Sequence, residues 1–186
     1  MRNKGIAYSA VLVVLLAAGL VHAQTAHLSD IVVTNTDEDL IVYFGVEGCF
    51  TPDMLRAIES GLPTTFTFYV NLYRKRDLWV DELIAEKELR HSVKYDPLKR
   101  RFEVRLTERE GEVLFVEGLQ EVQRIMSEVA ALKVAKLDDL KKGQEYQVRM
   151  RAELEKIRLP LKMHTVLFFL SLWDFETDWH TMEFVY

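Results

Sequence analysis

Apolar and polar residues alternate along much of this chain, the pattern of strands with one buried side. In DLIVYFGV, Leu40, Val42, Phe44 and Val46 share one side of an extended segment. The acidic NTDED before it suits a turn back from an earlier strand at about Leu28 to Thr34, so a hairpin is expected. TPDMLRAIESG then offers Thr51 as N-cap, Pro52 at the first helical position and Gly61 as the stop, predicting a short helix over about 52–60. Alternation resumes in TTFTFYVNLYRKR, with Phe66, Phe68, Val70 and Leu72 on one side. In ELIAEKELRHSVKY, Leu89, His91, Val93 and Tyr95 oppose Glu86, Glu88, Arg90, Ser92 and Lys94. A turn at Asp96 to Lys99 leads into RFEVRL, with Phe102, Val104 and Leu106 inward, and a short strand follows near Val113 to Val116.

The period then changes. Leu119, Val122, Ile125, Met126 and Val129 form a stripe at spacings of three and four, which predicts an amphipathic helix over about 117–132. EYQVRMRAEL returns to a period of two, and Pro160 suits an edge or a bend. VLFFLSLW, residues 166–173, is apolar at nearly every position and reads as a strand buried on both sides, with a membrane-dipping segment as the alternative. The following DFETDWH would extend the sheet, Trp173 and Trp179 packed and the acids solvated. Together these elements predict a mainly β fold, an antiparallel β-sandwich with two helices. Phe66, Phe68, Val104 and Ile125 are expected in its core.

The first residues follow another logic. Arg2 and Lys4 precede an apolar run from Ile6 to Val21, which ends in Val21-His22-Ala23, small residues at the two positions a signal peptidase reads. Residues 1–23 are therefore expected to be a signal peptide and residues 24–186 a single sandwich-like domain. The expected location is the periplasm after cleavage; the alternative is an inner-membrane anchor formed by the uncleaved segment. Losing residues 1–23 removes two of the 24 basic residues and none of the 29 acidic ones, which leaves a charge of −7. Such an exported, acidic chain argues against nucleic acid as a partner, because phosphate neutralisation supplies most of that affinity. The basic runs at Tyr73 to Arg76 and Lys99 to Arg101 read as a strand end and the flank of a turn. The single cysteine rules out an internal disulfide.

The candidate chemistry concentrates in SLWDFETDWH. At a period of two, Asp174, Glu176, Asp178 and His180 fall on one side, candidate ligands for a hard cation such as calcium. Trp173, Phe175 and Trp179 fall on the other, candidate interaction residues. Calcium takes six to eight oxygens, usually from a curved loop, and this stretch lacks the glycine of an EF-hand-like turn. His27, His91, His164 and His180 show no paired zinc spacing, and His91 reads as a strand residue with a local hydrogen bond. There is no G-x-S-x-G, H-E-x-x-H, C-x-x-C or glycine-rich phosphate loop. Cys49, just before a helix start, reads as a small packed residue rather than an activated thiol. No cofactor is expected.

Several segments in order, LIVYFGVEGCFTPDMLRAIESGLPTTFTFYVNLYRKRDLW, HSVKYDPLKRRFEV, RLPL and the tryptophan-rich tail, resemble the bacterial family of exported proteins DUF4390. The resemblance spans essentially the whole chain after residue 23. It implies a bacterial envelope protein and carries no activity or catalytic residue with it. Two functional classes follow. The first is a non-enzymatic binding module for another envelope protein or a membrane-surface component, acting through sheet edges or the aromatic tail. The alternative is a metal-dependent or carboxylate-based hydrolase using the acidic C-terminal stretch, since paired carboxylates can act as acid and base without a linear motif.

Overall fold

The computed structural model describes residues 26–154 and 175–186. The expected signal peptide, Pro160, the segment 166–173 and the candidates Trp173 and Asp174 lie outside the described residues.

Two antiparallel sheets face each other in a β-sandwich. The smaller has the order β1-β2-β7, formed by β1 (His27–Asn35), β2 (Asp39–Glu47) and β7 (Glu128–Lys136). The larger has the order β6-β5-β4-β3-β8-β9. It contains β3 (Thr64–Arg74), β4 (Glu82–Asp96), β5 (Arg101–Leu106), β6 (Leu114–Val116), β8 (Glu145–Leu154) and β9 (His180–Val185). The expected β1–β2 hairpin is present, and β3 lies between β4 and β8 in a sheet with two unlike sides.

The period-two pattern dictates which side closes on the core. Leu40, Val42, Phe44 and Val46 of β2 are buried, as are Phe66, Phe68, Val70 and Leu72 of β3, and Tyr146, Val148, Met150, Ala152 and Leu154 of β8. The Phe44 and Phe68 rings meet edge-on across the sheets, 5.8 Å between centroids. Burying one such ring stabilises the fold by about 1.5–3 kcal/mol. Phe102 and Val104 extend the same core along β5.

Helix α1 (Pro52–Glu59) forms where its caps require. The Thr51 hydroxyl accepts the Met54 N–H at 3.2 Å, and Gly61 ends the helix at φ 90°. That left-handed conformation costs glycine little. Its Met54, Ala57 and Ile58 are buried. At the next bend, the Asp96 carboxylate accepts the N–H groups of Leu98 and Lys99 at 3.0 and 3.1 Å, which fixes the expected turn.

The second helix is shorter than its periodicity predicts. Helix α2 spans Leu119–Ser127, and residues 128–132 are the start of β7 rather than helix. Edge pairing overrides local preference here: β2 has Val42 and Phe44 in the core and takes β7 as its second neighbour, through Phe44 with Val129 and Val42 with Leu132. Two register shifts along that pairing, one beside Ala131 at φ 54°, scramble the alternation that would mark a strand. Val122 and Met126 of α2 are buried, whereas Ile125, expected in the core, is half-buried beside a cleft.

Candidate functional site

The C-terminal stretch is a clamp on one arginine. Phe175 sets its ring edge-on against Phe66 at 5.0 Å, and its carbonyl accepts the Leu154 N–H at 3.0 Å. Thr177, almost fully buried, donates its N–H to the Ala152 carbonyl and accepts the Ala152 N–H on its hydroxyl at 3.0 Å. The segment thus lies along β8, but where a strand extending the sheet was expected it makes only an isolated bridge, Glu153 to Glu176, before β9 begins. Between that bridge and the pair Met150–His180, three steps along β8 are matched by four along the tail. The extra residue is a bulge, and a bulge exchanges the two faces.

This exchange corrects the expectation for Trp179. It is 46% exposed and turned to the outer face of the sheet instead of packed in the core. There the Arg151 guanidinium lies 5.0 Å from the centroid of the Trp179 ring and 5.0 Å from that of Tyr69, an arrangement favoured by the electron-rich ring faces. Its nitrogens bond the carboxylates of Glu176 and Glu153. Tyr69 donates its hydroxyl proton to Glu153 at 2.8 Å, and its phenol is held above the ordinary value by burial first and by that acceptor second.

Of the candidate ligands, Glu176 is therefore engaged by Arg151, while Asp178 and His180 are exposed on either side of Trp179. Glu176, Asp178 and His180 share a shallow depression with Ala26, His27 and Leu28. Among the described residues, no group of three or more His, Cys, Asp or Glu side chains is placed to hold a metal ion. Cys49 is buried, its thiol donates to the Val46 carbonyl at 3.3 Å, and burial pushes that thiol up to about 12. It is a packed residue. His91 is a strand residue with long-range bonds, not the local one expected: its ring nitrogens meet Glu108 and the Ile125 carbonyl.

The feature that strand periodicity passed over is the hairpin joining β3 to β4. At its tip Leu78, Trp79 and Val80 are 90%, 80% and 87% exposed. Three consecutive large apolar residues in water are a defect in a fold unless they meet something. The root beneath them is firmly tied. Arg74 and Arg76 both bond Glu82, while Lys75 reaches Glu183 at 3.0 Å and Glu145 at 3.2 Å. Asp81 takes the Gln147 amide and lies 3.7 Å from Arg149. Arg76, ahead of Arg74, holds the Glu82 carboxyl below its ordinary value against the opposing effect of burial, and Glu183 and then Glu145 raise the Lys75 ammonium. These contacts tie the root of the hairpin to β8 and β9. The signal for it was legible: Leu-Trp-Val between Asp77 and Asp81 breaks the alternation just where a turn is due.

Fold and site together define a two-sheet antiparallel sandwich with a protruding apolar hairpin. The chain belongs to the DUF4390 family, a domain of unknown function whose family model matches residues 23–183. No curated protein and no solved structure matches it. Among the described residues, no helix is long and apolar enough to cross a membrane.

Proposed function

We propose that this protein is a non-enzymatic interaction module of the bacterial cell envelope, periplasmic once residues 1–23 are removed, and that it engages a partner protein through the tip of the β3–β4 hairpin. The observation that carries this reading is the exposure of Leu78, Trp79 and Val80 on a tied root. Tryptophan, with a large apolar area and few rotatable bonds, is the residue type most enriched where binding energy concentrates. The aromatic tail is a weaker candidate, because Phe175 is spent on Phe66 and Trp179 on Arg151.

Charge favours a protein over a lipid surface. Arg74, Lys75 and Arg76 are already matched by Glu82, Glu145 and Glu183, and Asp77 and Asp81 flank the apolar residues on both sides. A juxtamembrane segment that reads anionic headgroups relies on unmatched lysines and arginines. The basic start, apolar run and Val-His-Ala ending of the first 23 residues support export.

A photo-crosslinking residue at Val80, compared with one at Leu98, tests the reading in the native envelope. Leu98 is 95% exposed at the far end of β4 and controls for exposed apolar area as such. Position 80 should give one discrete protein adduct that disappears when Leu78 and Trp79 are changed to Ser. Lipid adducts at position 80 would move the reading to a membrane surface, and the same diffuse products from both positions would refute it.

A further inference from the structure

His91 is completely buried in the inward face of β4, its ring edge-on to Phe68 with 4.7 Å between centroids. One ring nitrogen, Nδ1, lies 3.1 Å from the Ile125 carbonyl in the last turn of α2; the other, Nε2, lies 2.8 Å from Glu108 Oε1 in the β5–β6 loop. A carbonyl can only accept, so Nδ1 carries a hydrogen and donates it. A carboxylate also only accepts. The Nε2 to Oε1 bond therefore needs one more proton than a neutral imidazole and an ionised carboxyl together possess. Without that proton, two lone pairs would face each other at hydrogen-bonding distance, or the ring would change tautomer and abandon the Ile125 carbonyl.

We propose that His91 and Glu108 form a proton-operated latch: the shared proton fastens the β5–β6 loop to the end of α2, and its loss releases Glu108 to solvent. Glu108 is the member free to move, because its side chain is 26% exposed while the ring is wedged in the core. It lines two clefts, of about 570 and 630 Å³, that share Glu108 and Arg109 in their walls. Release of the latch would join them.

The surrounding charges do not replace the proton. Arg109 stands beside Glu108 in the loop; Glu121 and Arg124 come from α2 and bond each other; Glu128 of β7 bonds Arg124. Glu110 from the loop, Lys87 and Glu88 from β4, and Lys133 from β7 line the second cleft. Opposite the ring, β3 presents Phe66 and Phe68. Burial, the largest influence on Glu108, raises its carboxyl. The bond and charge of His91, the backbone N–H of Glu108 itself and Arg109 together outweigh burial and hold that carboxyl below its ordinary value. That carboxyl therefore favours its ionised, accepting form.

The test is an NMR titration of the full chain that follows the His91 ring nitrogens together with the amides of Glu108 to Glu112 and Ile125 to Ser127. Expected are two protonated ring nitrogens while the latch is closed, and one common midpoint on raising the pH for ring, loop and helix-end signals. In Glu108→Gln the amide can donate to a neutral ring, so the loop and helix-end shifts should no longer follow pH. Loop amides that ignore deprotonation of the ring, or that titrate identically in Glu108→Gln, would overturn the latch.

Discussion

Ala131 holds a left-handed conformation, φ 54°, at a register shift of β7. For a residue with a Cβ this costs roughly 1–2 kcal/mol, and glycine escapes most of that cost. Ala131→Gly should therefore raise stability by about 1 kcal/mol in urea unfolding. Ala135→Gly, in the same strand, should lower it. At this scale the sequence is most readable where a residue has one obligation. Phe66, Phe68 and Val104 were legible as core because period two admits no other side for them, and all three are fully buried. Trp179 was misplaced because a single extra residue reverses the faces, and nothing in a string of letters marks where a bulge falls. The ranking of two substitutions follows from this correction. Phe68→Ala should cost about 3–5 kcal/mol in thermal or urea unfolding. Trp179→Ala should cost about 1 kcal/mol, mainly its stacking on Arg151.

Elements are legible when their caps and their packing agree. Helix α1 has Thr51, Pro52 and Gly61 in register with its apolar face, and its bounds follow from them. Helix α2 has no capping side chain at Gly118, and its apolar stripe runs on into a segment that β2 claims as a strand, so only the first part of the stripe is helical. The C-terminal segment depends on partners far away in the sequence. Arg151 is its organiser, bonded to Glu176 and flanked by Tyr69 and Trp179. In Arg151→Ala, the Thr177 amide, buried and bonded to Ala152 in the native chain, should lose protection in hydrogen exchange while the β3 amides keep theirs. Equal loss in β3 would mean that Arg151 supports the whole sheet and not the tail. The metal reading of Glu176, Asp178 and His180 could not be weighed from spacing alone, since the arginine that engages Glu176 comes from β8.

At the scale of the whole molecule, acid should unfold the protein through a defined set of groups. Asp39 is lowered by Lys133 and Lys136, Glu82 by Arg76 and Arg74, Asp96 by the Lys99 backbone, and Glu121 by Arg124; Glu108 joins them through His91 despite its burial. A carboxyl whose folded value is depressed contributes stability above its unfolded value, about 4, and that contribution is lost as pH falls through the folded value. The melting temperature should accordingly hold at mildly acidic pH and decline below about pH 4. A flat profile down to about pH 2 would show that these pairs contribute nothing.

The molecule's exposed apolar hairpin is the feature its own stability does not explain, and the central claim is that it serves a partner. The most direct measurement is a comparison of the native chain with the variant carrying Leu78→Ser, Trp79→Ser and Val80→Ser, by thermal unfolding and by photo-capture in the native envelope with the probe at an unchanged neighbouring position, Asp77. The account predicts the same melting temperature, within the roughly 0.5 kcal/mol usual for surface substitutions, together with loss of the captured adduct. A marked fall in melting temperature would show that the three residues hold the fold together, and undiminished capture at full stability would show that the partner reads another surface.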